Sequence, residues 1–167
     1  AGAMATLEGA GEGVDALPSS WLIRARAARD LGNMEAAWSA LSQGAARFPE
    51  RREFARQQML LLVELGLTRE AGDRASEMLA AGTITAEDAL VFSEALRKGG
   101  ALTEATLLLE EARLRFPDNG EIPVRQAAVA LDADQPLTAA RFLQVAAEYD
   151  SAYALDAAEL FRRAGRV

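Results

Sequence analysis

With 167 residues, 50% of them apolar and 26% charged, the chain is one domain's worth of sequence and carries enough apolar surface for a continuous core. The formal net charge is −7 and the dispersed basic residues are nearly all arginine, so no basic stripe offers itself to a phosphate backbone and nucleic acid is not expected as a partner. Cysteine and histidine are both absent, which excludes disulfides, thiolate metal sites, a cysteine nucleophile and the commonest general base and metal ligand.

Residues 1–17 read as a flexible lead-in, with Gly2, Gly9, Gly11 and Gly13 set among alanines and acids. Ala1-Gly-Ala-Met4 resembles an expression remnant, which leaves a targeting segment upstream open. Gly9-Ala-Gly-Glu-Gly13 has the glycines of a phosphate loop, but no strand precedes it and no Lys-Ser/Thr follows. Pro18-Ser-Ser opens the first helix with capping residues. Nine amphipathic helical patterns follow, at about 19–31, 34–47, 51–65, 68–81, 86–98, 102–115, 121–132, 136–149 and 152–164. Pro123 and Pro136 each fall in a first helical turn, where a missing N–H does no harm. The longest apolar run, Met59–Val63, is far too short to span a bilayer.

The stretch 86–119 shows what the pattern means. In Ala86–Lys98 the residues Ala89, Leu90, Phe92, Ala95 and Leu96 recur at three- and four-residue steps and share one side of a helix. Thr85 and Asp88 have the spacing of a capping box. Gly99-Gly100 stops that helix, because glycine enters the left-handed conformation freely. A second helix, Leu102–Arg115, carries Ala105, Leu108, Leu109 and Ala112 on one side, and Pro117 closes it. The same features return at a spacing of 34: Gly32, Gly66 and Gly100, and Ala37, Ala71, Ala105 and Ala139. Pro49 and Pro117 stand two periods apart. Two short helices cannot bury both apolar faces alone, so each pair needs its neighbours stacked upon it.

These residues resemble the tetratricopeptide repeat (TPR) family. The first repeat offers Trp21, Ala25, Gly32, Ala37, Leu41 and Pro49, with Gly44 where alanine is usual. The second offers Met59, Gly66, Ala71 and Met78, but has Ala55 for the expected aromatic and no closing proline. The third offers Ser93, Gly100, Ala105, Leu109, Ala112 and Pro117. The fourth offers Ala127, Ala139, Leu143 and Ala146, and departs in Asp134 for glycine and Pro123 for the aromatic. A last helix, Ser151–Ala164, matches the first half of a repeat through Ala158, Phe161 and Gly165, at a junction three residues shorter than the others. The resemblance implies an all-α, right-handed α-solenoid of four repeats, at about 18–51, 52–85, 86–119 and 120–150, plus one additional C-terminal helix at 151–164.

It also implies a function: non-catalytic binding of a peptide segment or partner protein, as an adaptor or assembly scaffold. No cofactor and no metal are expected. In that family the first helices line a concave groove, which here carries over to Leu22, Arg26, Arg29, Arg56, Leu60, Val63, Leu90, Glu94, Arg97 and Arg125, with Glu53 and Glu87 beside them. Leucines and valine would supply apolar contact, and arginines would fork onto carboxylates. The lysine-asparagine-arginine set with which some TPR modules grip a chaperone's acidic tail is missing: Leu22, Arg26, Gln57, Glu87 and Val91 stand there. Glu110-Glu111 and Asp132/Asp134 read as solvated faces and caps rather than catalytic pairs, and Trp21 and Trp38 as packing.

The last helix is apolar over much of its circumference, through Tyr153, Ala154, Leu155, Ala157, Ala158, Leu160 and Phe161. Further repeats beyond Val167 are one reading. Self-association into a homo-oligomer is the other, and a docking domain of a larger enzyme is a third functional reading. The Ala- and Arg-rich composition, with Lys98 as the one lysine, points to a bacterial source, in cytoplasm or periplasm.

Overall fold

The structure, a computed structural model, describes residues 17–165. The glycine-rich 9–13 stretch and the last two residues lie outside the described residues. Among those described, all regular structure is helical: α1 (Pro18–Asp30), α2 (Met34–Arg47), α3 (Arg52–Glu64), α4 (Thr68–Ala80), α5 (Ala86–Lys98), α6 (Leu102–Arg115), α7 (Glu121–Asp132), α8 (Pro136–Ala146) and α9 (Tyr153–Ala164).

The helices stop in one recurrent way. After α1, Gly32 N–H donates to the Arg29 carbonyl (2.8 Å) and Asn33 N–H to that of Ala28 (2.8 Å), the paired bonds of a Schellman turn. The same pair follows α3 at Gly66 and Leu67, and α5 at Gly100 and Ala101. Gly32, Gly66 and Gly100 have φ of 74°, 74° and 79°. Asp134 takes the fourth position with φ 56°, and both bonds persist: Asp134 N–H to Leu131 (3.0 Å) and Gln135 N–H to Ala130 (2.8 Å). A short polar side chain tolerates this conformation better than most, so the turn survives the loss of its glycine. The missing proline after α4 is likewise made good: Gly82 turns left-handed (φ 69°) and Ile84 is buried beyond it.

Starts are set more variously. The Thr85–Asp88 capping box forms in both directions, Asp88 N–H to Thr85 Oγ1 at 3.2 Å and Thr85 N–H to Asp88 Oδ2 at 3.0 Å. Asn33 caps α2 by accepting from Ala36 N–H at 3.0 Å. The expected capping by Ser19 and Ser20 does not occur. Pro18 occupies the first helical position and Leu17 precedes it without a side-chain bond, because proline's fixed φ and missing N–H suit that place. Helix α8 also ends at Ala146, three residues early. There Glu148 and Tyr149 N–H close tight bonds to the carbonyls of Val145 and Ala146 (3.1 and 3.0 Å), and the Tyr149 hydroxyl donates to the Pro117 carbonyl at 2.7 Å.

The chain divides into two compact units, residues 1–61 and 62–167. In the first, α1 packs on α2, and Trp21, Ala25, Ala37, Ala40, Leu41, Phe54 and Leu61 form the core. Leu22, Met34, Trp38 and Phe48 close over it. Phe48 and Phe54 stack with ring centroids 6.4 Å apart. In the second, α4 packs on α5 and α6, α5 on α6 and α7, α6 on α7, and α8 on α7 and α9. Each of these helices leans on the next and several on the one after, the contact pattern of stacked pairs. Alanines set the approach: Ala71, Ala75, Ala89, Ala105, Ala112, Ala139 and Ala146 are all fully buried. At Gly72 even a methyl is too much, since a Cβ there would lie 2.8 Å from the Glu104 Cβ. Ala127, Ala130, Ala139, Leu143 and Ala157 form the core beneath α9, with Phe142, Tyr153 and Leu160 over it.

Candidate functional site

In the first unit, α1, α2 and the N-terminal part of α3 enclose an open concavity of about 400 Å³. Leu22, Ala25, Arg26, Arg29 and Asp30 come from α1, Ala37 and Leu41 from α2, and Glu53, Gln57 and Leu61 from α3. The spacing explains the meeting: Leu22, Arg26 and Arg29 recur at four and three residues, so helical geometry sets them on one side. The floor is apolar and the rim carries both signs of charge. Arg26 and Asp30 approach to 3.9 Å with side chains 78% and 65% exposed, a pairing that water screens almost entirely. Arg24, on another side of α1, lies 5.0 Å over the Trp21 ring. Arg56 and Leu60 are half-buried and Arg56 does not line this concavity.

In the second unit the expected residues Glu94, Arg97 and Arg125 come together, but on one another. Arg97 grips Glu94 with two parallel bonds, Nε to Oε2 at 2.9 Å and Nη2 to Oε1 at 3.0 Å, and its Nη1 donates to the Asp132 carboxylate of α7. Lys98 Nζ lies 3.3 Å and Arg125 Nη1 3.8 Å from Glu94. The hydrogen bonds from Arg97, against the cost of burial and with help from Lys98, hold the Glu94 carboxyl well below the usual carboxylate range, at about 2. Hydrogen bonds to Glu94 and then Asp132 push the Arg97 guanidinium further above its ordinary value. The forks that sequence alone assigns to a partner's carboxylates are thus, at Arg97, occupied by the chain's own. Leu90 is buried, at 8% exposure, and serves the core; Val63 is half-buried with its Cγ1 3.0 Å from where a Gly99 Cβ would stand.

Asp132, which the sequence sets among solvated faces and caps, joins this network. It stands one period plus one residue beyond Arg97, which sets it at nearly the same level of the next repeat's first helix, and that offset was the available signal. Among the described residues no group of three or more metal-ligating side chains occurs, and no helix is long and apolar enough to cross a membrane.

Against solved structures the chain is similar to MamA 41-end from Desulfovibrio magneticus RS-1, at 16% identity over 87% of this chain and 92% of that one, with a TM-score of 0.53. It is similar to a further MamA crystal structure at 13% identity, covering 88% and 89%, with a TM-score of 0.54. It is also similar to TTC0263, a thermophilic TPR protein in Thermus thermophilus, at 20% identity, covering 90% and 84%, with a TM-score of 0.53. The chain has a TPR-type fold. All-α repeats of the solenoid class, expected from the 34-residue period, are what these TPR-like neighbours and the helices share. No protein-family model matches the sequence, and no curated protein does.

Proposed function

We propose that the chain is a non-catalytic protein-binding module that takes a segment of another protein against the first helices of its TPR-like repeats. The observation that carries the reading is the 400 Å³ concavity of the first unit, which the half-buried Leu22 lines together with Arg26 and Arg29 of the same helix. That volume falls within the roughly 300–1,000 Å³ of ordinary ligand sites. A partner segment with one apolar side chain flanked by carboxylates matches it: the apolar group covers Leu22 and the guanidinium forks take the acids. Arg56 and Leu60 adjoin in the same unit. Val63, Glu94, Arg97 and Arg125 form the candidate surface of the other unit, over the buried Leu90, with the three charged residues tied into one ion network.

Peptide-display selection on the full chain tests this. Peptides pairing an apolar residue with Asp or Glu should be enriched, and Arg26→Glu with Arg29→Glu should abolish their binding. Arg113→Glu, on the exposed face of α6, should leave it intact. Equal effects of the two changes would place the site elsewhere.

A second reading rests on α9. Leu155 is 79% exposed there, with Ala154, Ala158 and Phe161 also outward, and a second copy laid on that face would form a homo-oligomer. Light scattering across concentration separates the two: a monomer throughout, with peptide binding retained, leaves only the first.

A further inference from the structure

The second unit holds a smaller pocket, about 190 Å³, enclosed by α6, α7 and α8 and lined by Thr106, Glu110, Gln126, Val129, Thr138 and Phe142 among others. Gln126 is 3% exposed, and neither its Oε1 nor its Nε2 has a hydrogen-bond partner among the described residues. A buried amide left so costs on the scale of a lost hydrogen bond at each atom, which is rare in a native fold.

The repeat itself supplies a control. Gln58 stands two periods before Gln126 and is equally buried, but its Nε2 donates to Ser42 Oγ at 3.2 Å. The residue two periods after Ser42 is Glu110, which lines the pocket without bonding Gln126. A carboxylate accepts only, so Glu110 can serve Nε2 and never Oε1. The Thr106 hydroxyl is already given to the Leu102 carbonyl at 2.8 Å. Gln135 and Thr138 also line the pocket and do not bond Gln126, so what Gln126 lacks here is one group that donates and accepts side by side.

We infer that the pocket bounded by Thr106, Glu110, Gln126 and Phe142 is a binding site for a primary carboxamide, the side chain of an asparagine or glutamine carried by a partner protein. A primary carboxamide can pair with Gln126 edge to edge, its N–H to Oε1 and its C=O to Nε2, and its second N–H is left to face Glu110. A trans peptide unit points its N–H and C=O in opposite directions and makes only one of the two bonds. A free carboxylate lacks the donor and meets the Glu110 charge. Both Gln126 atoms are closed off in the resting conformation, so binding turns the amide about its broad terminal torsion into the pocket it lines. The inference stands independently of the concavity in the first unit.

The test is an NMR titration of the full chain, reading the Gln126 side-chain NH₂ pair, assigned by its absence in Gln126→Leu. Propionamide should shift the pair saturably, and N-methylacetamide should bind about tenfold more weakly, the worth of one hydrogen bond. Ala133→Leu, which narrows the pocket without touching the amide, should abolish the response while the pair itself remains visible. N-acetylglutamine N-methylamide should bind more tightly than free L-glutamine. Equal responses to the two small amides, a pair that contacts ordered water only, or tighter binding of the free amino acid would overturn the inference.

Discussion

Gly44 has no side chain because Phe54 takes its place: a Cβ on Gly44 would lie 2.2 Å from Phe54 Cε1 and 2.6 Å from its Cζ. Two departures from the TPR pattern, glycine for alanine at 44 and alanine for the aromatic at 55, are one packing event. The ring moves to the preceding residue, is fully buried, stacks on Phe48, and presses into the groove that glycine opens in α2.

Gly44→Ala should therefore destabilise the fold by about 1–3 kcal/mol, although alanine favours a helix over glycine by about 1 kcal/mol. A fully buried, stacked ring has nowhere to swing, so sterics win over propensity. Phe54→Leu in the same chain should recover part of the loss. Urea unfolding of the two variants checks both signs; a stabilised Gly44→Ala would refute the packing.

At Asp134 the expectation runs the other way. Its φ of 56° is strained for a residue with a Cβ, and Gly32, Gly66 and Gly100 show what the turn prefers. Asp134→Gly should raise stability by about 0.5 kcal/mol, the relief of strain less the entropy that glycine adds to the unfolded chain. Gly100→Ala should lower it by about 1–2 kcal/mol. Thermal melts of both variants give the comparison.

Acid should release the Glu94 network. The folded carboxyl lies at about 2 against an ordinary 4.5, a depressed value. Its contribution is thus fully present above pH 4.5 and is lost as pH falls toward 2. Solvent reaches this cluster, so the contribution is only about 1 kcal/mol at neutral pH. Glu94→Gln should be less stable than the parent by that amount at neutral pH, and the gap should close on acidification. A gap independent of pH would mean that the loss is packing and not charge.

Thr85→Ala should cost about 1 kcal/mol, because the Asp88 amide loses its capping acceptor and the Asp88 carboxylate loses the Thr85 hydroxyl at 2.9 Å. Amide hydrogen exchange in the first turn of α5 should quicken in the variant while the last turn of α5 keeps its protection.

Much of this was readable from the sequence, and for a common reason. The stop at each glycine and the Thr85–Asp88 box are features of one turn, and the 34-residue period, with its buried alanines at 37, 71, 105 and 139, repeats such local features along the chain. Periodicity and φ preferences act over a few residues, so the chain alone determines them. Where local rules competed, the pattern misled: Pro18 outranked the serines as the start of α1, and the tight bonds around Tyr149 ended α8 early.

The tertiary structure alone decided which side chains meet. That Phe54 fills the space over Gly44, that Arg97 spends its fork on Glu94 and Asp132, that Leu90 is core and that Gln126 lines a pocket with no partner among the described residues all depend on how helices distant in sequence come to lie side by side. A repeat pattern dictates that such helices pack; the volumes and charges of the particular side chains between them dictate what each contact becomes.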